Sequence, residues 1–200
     1  MANKSIEELK ELIVEFPSIG PRQARRIVQF LLYKNAAYRE KLAELVVNVA
    51  KSAKQCKACF RFDDVNDTGV CRICADASRE KSSLMVVEKD VDIDGVEGSG
   101  AYIGRYFVLG GLMSMTQKKN PSTLRDKELF ARLAQNNLQE VIFALSTTPE
   151  GDYTARELLK QIGEKFPNIK ITLLGRGLSV GAEIEYADSE TLRSALKNRA

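Results

Sequence analysis

Two CxxC pairs, Cys56-Lys57-Ala58-Cys59 and Cys71-Arg72-Ile73-Cys74, are all the cysteines of a chain that contains no histidine. Tetrahedral zinc takes four thiolates at about 2.3 Å, and each CxxC turn supplies two of them. Asp63, Asp64, Asn66, Asp67 and Gly69 between the pairs are turn formers, so the spacing predicts a hairpin that closes four sulfurs around one ion. Such a site has no open position for water and is structural; Lys57 and Arg72 would offset part of the charge of four thiolates. A segment this short cannot bury a core of its own, so metal binding would supply its folding free energy. A redox dithiol, which needs one CxxC on a thioredoxin-like βαβ unit, and an iron-sulfur cluster are the alternatives. The missing imidazole excludes Ser-His-Asp and Cys-His nucleophiles, HExxH metalloproteases and mixed Cys/His zinc sites.

Apolar residues at 44% and charged residues at 28% of 200 fit a globular chain of one or two small domains. No run approaches the roughly 20 apolar residues of a membrane span, and Met1-Ala2-Asn3-Lys4-Ser5 leads into a charged segment, so a cytoplasmic protein is expected. In that reducing compartment cysteines favour metal over disulfides. The net charge of +3 is unevenly spread. Between Pro17 and Phe62 ten basic residues face only Glu40 and Glu44, a local excess of +8 that leaves the remainder near −5. A basic amino-terminal third suggests a polyanion-facing module, with ordinary solvated lysines as the plainer reading.

Ser5-Ile6-Glu7-Glu8 has the form of a capping box, and Ile6, Leu9, Leu12, Ile13 and Phe16 follow at helical spacing until Pro17-Ser18-Ile19-Gly20-Pro21 interrupts them. Pro21 suits the first position of a second helix. In that helix Ala24, Ile27, Val28 and Leu31 fall on one side and Arg22, Arg25 and Arg26 on the other. Two helices joined by a tight turn, the second opening with arginines, resemble the helix-hairpin-helix of DNA-binding proteins, whose amides and cations contact phosphate without reading sequence. The usual second glycine is replaced by Ser18, which predicts a looser hairpin; a plain helical pair with a basic surface is the alternative. A third helix is expected from about Ala37 to Ser52, with Leu42, Leu45, Val46 and Val49 as a buried stripe.

Beyond Lys81 the pattern becomes α/β. Apolar runs at 84–87, 106–109, 141–145 and 169–173 alternate with helical segments near 90–97, 123–135 and 155–166, which predicts a parallel sheet. Ligands bind such sheets at the carboxyl ends of the strands. Glu88 follows the first run, and Glu150-Gly151-Asp152 follows the third across a Ser146 to Pro149 loop. One acid and an acid-x-acid pair so placed resemble the Toprim domain of topoisomerases and primases. Three converging carboxylates could hold Mg²⁺, while capping of the next helix is the bland alternative.

The succession of helical hairpin, four-cysteine element and Toprim-like domain resembles the bacterial RecR family over essentially the whole chain. Phe16 to Arg22 fits its hairpin, Gly104-Arg105-Tyr106-Phe107-Val108-Leu109-Gly110-Gly111 its glycine-marked strand, Glu150 to Ala155 its acidic loop and Arg176 to Tyr186 its Walker-B-like segment. Phe107, Ser146, Ser179 and Ala182 depart from the residues usual there, His, Asn, Pro and Gly, and the stretch from Met113 to Pro121 is also atypical.

The resemblance implies an α+β multidomain chain: a helix-hairpin-helix region (1–53), a zinc element (54–77), a Toprim-like α/β domain (78–175) and a carboxyl-terminal Walker-B-like segment with a helix (176–200). It implies a non-enzymatic, nucleoid-associated recombinational-repair mediator. Such a ring-shaped clamp, a homodimer or homotetramer, binds single- and double-stranded DNA and works with RecO and RecF to load RecA on strands coated by single-strand-binding protein. Gly20 with Arg22, Arg25 and Arg26 forms the expected DNA-binding set, with Arg22 and Arg26 matching the family's basic residues. The four cysteines would hold one structural zinc per chain, and Glu88, Glu150 and Asp152 would contact RecO. The competing expectations are a Mg²⁺-dependent nuclease or primase-like enzyme using those three acids, and a zinc-stabilised protein adaptor that never touches DNA.

Overall fold

The computed structural model describes residues 3–116, 120–135 and 138–199. The chain divides into two compact units, Met1–Ala53 and Lys54–Ala200.

The first unit is helical. Helix α1 (Lys4–Val14) begins two residues earlier than a Ser5 cap would allow, because the Asn3 side chain accepts the Ser5 amide at 3.1 Å and becomes the cap. Helix α2 (Pro21–Tyr33) follows with Gly20 as its cap and Pro21 in its first turn. Between them Ser18 sits at φ +63°, the left-handed conformation that glycine adopts without cost. The serine therefore keeps the turn tight, contrary to the expected loosening. Ile13, Ala24 and Val28 form the buried cluster, flanked by Ile6 and Ile19. Leu9 and Leu12 of α1, Phe16 just after it, and Ile27 of α2 are exposed instead of buried.

Helix α3 (Ala36–Ser52) is capped by Asn35, whose side chain accepts the Tyr38 amide at 2.9 Å. Its expected buried stripe is overturned: Leu42 and Leu45 are exposed, and Val46 and Val49 are each 64% exposed. Helical periodicity identified an apolar face correctly, but the unit's buried cluster takes no residue from it.

The second unit is built on a parallel sheet with strand order β4-β3-β5-β6. The strands are β3 (Ser83–Val87), β4 (Arg105–Val108), β5 (Glu140–Ala144) and β6 (Lys170–Leu173), preceded by a two-residue hairpin, β1 (Lys54–Gln55) and β2 (Phe62–Asp63). Side chains alternate between two cores, as the pleat requires. On one face Leu84, Val86, Phe107, Val141 and Phe143 pack against Leu129 and Leu133 of α6 (Asp126–Ala134) and Leu158 and Ile162 of α7 (Pro149–Lys165). On the other, Met85, Val87, Tyr106 and Val108 pack against Ile93 of α5 (Asp90–Ser99) and against all four cysteines. The cysteine element, expected as a segment by itself, thus serves as a covering layer of the sheet. Phe107, where the family often has histidine, is fully buried against Phe60, with ring centroids 5.3 Å apart.

Helix α7 starts earlier than the sequence predicts. Thr148 caps it, its hydroxyl accepting the Gly151 amide at 3.2 Å, so Glu150 and Asp152 lie in the first helical turn and not in a loop. Beyond β6 an extended segment holds one 3₁₀ turn (Ile184–Tyr186) and α8 (Ser189–Lys197), with no fully buried residue in either. Of the atypical stretch from Met113 to Pro121, Gln117, Lys118 and Lys119 lie outside the described residues. Among the described residues no helix is long and apolar enough to cross a membrane.

Candidate metal centre and nucleic-acid interface

The cysteine cluster is assembled by two short turns. The first runs from Cys56 to Phe60: the Phe60 amide donates to the Cys56 carbonyl at 2.9 Å, and Phe60 takes φ +65°, turning the chain back so that the Arg61 carbonyl accepts the Cys56 amide at 2.8 Å. In the second, Asn66 folds its carboxamide oxygen onto the Thr68 and Val70 amides, each at 3.1 Å. Gly69 at φ +82° closes that turn, where a Cβ would strike the Lys57 side chain at 2.8 Å. A single helical turn, α4 (Arg72–Ala75), then places Cys74. Of the residues expected to supply the turn, Asp63 instead belongs to β2.

The four sulfurs lie within 4.8 Å of one another and each cysteine is buried. Cys59 and Cys71 sulfurs are 3.6 Å apart, far beyond a disulfide bond of about 2.05 Å. A tetrahedron with 2.3 Å metal–sulfur bonds has edges of about 3.8 Å, so this spacing suits a zinc-sized ion. Amides of Ala58 and Cys71 donate to the Cys56 sulfur at 3.4 and 3.3 Å, as they would to a thiolate. Hydrogen bonding among the thiols, with Cys59 foremost, lowers Cys56, while the contact with Cys56 and burial push Cys59 up. Four thiolates cannot coexist at this distance without a cation between them. The residues present therefore fit a four-thiolate metal.

The element is tied to the sheet by more than apolar contact. The Val108 amide donates to the Cys59 carbonyl at 2.8 Å, Arg61 pairs with Asp94 at 2.8 Å, and the Phe62 amide donates to Asp90 at 2.8 Å.

The three carboxylates at the strand ends behave differently. Glu88 is buried after β3; Ser146 donates its hydroxyl to one oxygen, and Lys89 pairs with the other at 3.0 Å. Asp152 is held by the Arg176 guanidinium, whose hydrogen bond keeps the carboxyl below its ordinary value. Glu150 is exposed. Among the described residues the cysteine quartet is the one cluster of three or more acidic or sulfur ligands, so the expected convergence of Glu88, Glu150 and Asp152 is not found. Lys89 and Arg176 instead pair with two of the three carboxylates. In the sequence Arg176 stands out only as part of a motif; its pairing across 24 residues with Asp152 has no local signature.

In the helical unit, Arg22, Arg25 and Arg26 are all exposed on α2, and among the described residues none is paired with a carboxylate. The chain enters α2 through Gly20 in an extended conformation, leaving the first amides of the helix beside the arginines. The positive end of the helix and three unpaired guanidinium groups thus lie together, an arrangement that attracts phosphate.

Comparison with known proteins follows the same division. The Toprim domain profile matches residues 82–174, and the profile described as RecR, C-terminal, matches residues 177–200. The recombination protein RecR of Amoebophilus asiaticus is 39% identical over 98% of this chain and 96% of its own length. The chain belongs to the RecR family. The recombination proteins RecR of Bacteroides thetaiotaomicron and Ruegeria pomeroyi are 37% and 36% identical over 100% and 99% of the chain and 93% and 97% of their own lengths. Membership supports a role in recombinational DNA repair and accounts for the pairing of a Toprim sheet with a four-cysteine cluster suited to metal.

Proposed function

We propose that the chain is a non-enzymatic DNA clamp that helps load RecA on gapped or single-stranded DNA together with RecO and RecF, with one structural zinc per chain at Cys56, Cys59, Cys71 and Cys74. The carrying observation is the unpaired arginine set at the start of α2, whose turn is read as a helix-hairpin-helix. Gly20 is the residue before the first turn, and Arg22, Arg25 and Arg26 supply the charge. Contacts of this kind bind the backbone of single and double strands without selecting sequence.

Two further observations support the details. The paired state of Glu88 and Asp152 speaks against the Mg²⁺-dependent enzyme and leaves the acidic surface near Glu150 for RecO. The exposed apolar faces of α1 and α3 favour a homodimer or homotetramer, since a free monomer would leave them in water. In this reading the protein works in the bacterial cytoplasm at the nucleoid. Four regions, 1–53, 54–77, 78–175 and 176–200, carry DNA contact, zinc, the Toprim sheet and the carboxyl-terminal segment in turn.

The test is RecA assembly on gapped DNA coated by single-strand-binding protein, with RecO and RecF present. Arg22→Ala with Arg26→Ala is expected to abolish the stimulation and to reduce the salt dependence of DNA binding by roughly one to two units of slope. With Mg²⁺ and the wild-type protein, labelled gapped DNA should remain intact. Cleavage that disappears in Glu150→Ala would replace this reading with the enzymatic one.

A further inference from the structure

The arginines do not end the exposed face of α2. At 100° per residue Arg22, Arg26, Gln29 and Tyr33 fall within an arc of about 60°, a stripe along the whole helix. Eleven residues at 1.5 Å separate Arg22 from Tyr33 by about 16 Å. Tyr33 is 83% exposed at the carboxyl-terminal end of that stripe. Its aromatic neighbours are already engaged: Phe30 and Tyr38 meet edge to face at 6.0 Å, with the Lys34 ammonium 4.7 and 5.4 Å from their centroids. Among the described residues Tyr33 makes no such ring contact, and most of its surface is open to solvent. A large, rigid, unburied ring in line with two unpaired arginines, on a helix with no acidic residue, is complementary to a strand that offers phosphates and uncovered bases at once.

We propose that Tyr33 is a base-stacking residue for single-stranded DNA. Arg22 and Arg26 hold the backbone at one end of α2, and a nucleobase stacks on the Tyr33 ring at the other; Lys34, kept nearby by Phe30 and Tyr38, adds charge. The inference rests on the reading of α2 as the DNA-binding helix and deepens it. In a duplex the base faces are covered by their neighbours, so the ring contributes nothing and the arginines act alone. Tyr33 therefore gives a sequence-independent helix a preference for the single strand. Stacking is tolerant of base identity, because every base has a π-face.

The experiment measures binding of a single-stranded oligonucleotide carrying 2-aminopurine, and of the duplex of the same sequence, by the full-length zinc-loaded protein. Fluorescence is followed across a salt series, and molar mass is checked by light scattering. Tyr33→Ala and Tyr33→Leu are expected to weaken single-strand binding about 5- to 150-fold, the loss typical of one stacked base, and to abolish the change in 2-aminopurine emission. Duplex affinity and the salt slope should stay at wild-type values, and Tyr33→Phe should bind like wild type. Arg22→Ala with Arg26→Ala should instead weaken both substrates and flatten both slopes. Equal weakening of single strand and duplex by Tyr33→Ala would overturn the proposal, as would retained affinity in Tyr33→Leu. A fall in molar mass caused by either variant would reassign the ring to contact between copies of this chain. A wild-type protein that binds neither substrate would instead refute the underlying assignment of α2 to DNA.

Discussion

The sheet at the centre of the 54–200 unit lies in a closed core, whereas the helical unit before it has almost none. In the larger unit both faces of the sheet are covered, one by α6 and α7 and the other by α5 and the cysteine element. Its conspicuous charges are paired as well: Glu88 with Lys89, Asp152 with Arg176, and Arg61 with Asp94. The helical unit buries only Ile13, Ala24 and Val28 as a core, and displays Leu12, Phe16, Val46 and Val49 alongside unpaired arginines. Satisfied groups have little left to offer a ligand. The contrast teaches where to look for binding: in the proposed clamp the Toprim sheet is the scaffold, and the helical unit is the part to test for contact with DNA and with other copies of the chain.

The largest expected effect sharpens the self-contained side of that contrast. Because the four cysteines share a core with Met85, Val87, Tyr106 and Val108, removing the metal should disrupt more than the segment from Cys56 to Cys74. Structural zinc contributes about 10–16 kcal/mol in small zinc domains, as large as the whole stability of an ordinary domain. Chelation, or Cys59→Ser, is expected to release one equivalent of zinc per chain and to remove hydrogen-exchange protection from β3 and β4. Amides of α1 and α2 should keep their protection. Loss confined to residues 56–74 would show that the sheet does not depend on the element covering it.

An intermediate effect addresses the open side. Val46→Asp with Val49→Asp places two charges on the exposed face of α3 and is expected to lower the molar mass of the assembly while leaving the far-ultraviolet circular dichroism unchanged. Unfolding of the variant chain would mean that this face is buried within one molecule. The smallest effect concerns the turn before α2. Ser18 holds a positive φ that a side chain disfavours by about 1 kcal/mol, so Ser18→Gly should raise the stability of the helical unit by about that amount, measured by urea denaturation. No gain would indicate that the hydroxyl compensates for the strain.

Much of this was legible in the sequence, and the failures have a common cause. Period and spacing are local properties. They located β3 to β6 within a residue or two, the arginine face of α2 and the four sulfur ligands. Partners in space are not local, and there the reading failed. The apolar stripe of α3 was visible, but whether Val46 and Val49 find a cover depends on elements the stripe does not encode. Glu88, Glu150 and Asp152 looked like a metal triad because their order matched one, while Arg176, which occupies Asp152, lies 24 residues away. Competition among local caps caused the smaller errors: Asn3 outcompetes Ser5, and Thr148 starts α7 early enough to draw the acidic pair into the helix. Tyr33 carried no periodic signal at all, since one exposed aromatic acquires meaning only once the arginines aligned with it are placed on the same helix.

The proposed clamp needs the helical unit to take both DNA and other copies of the chain. Light scattering of the zinc-loaded protein, alone and with gapped DNA, measures both. A molar mass of two or four times 22.3 kDa is expected of the clamp, with a DNA complex that retains that multiple. A single 22.3 kDa chain that binds gapped DNA as one copy would contradict it.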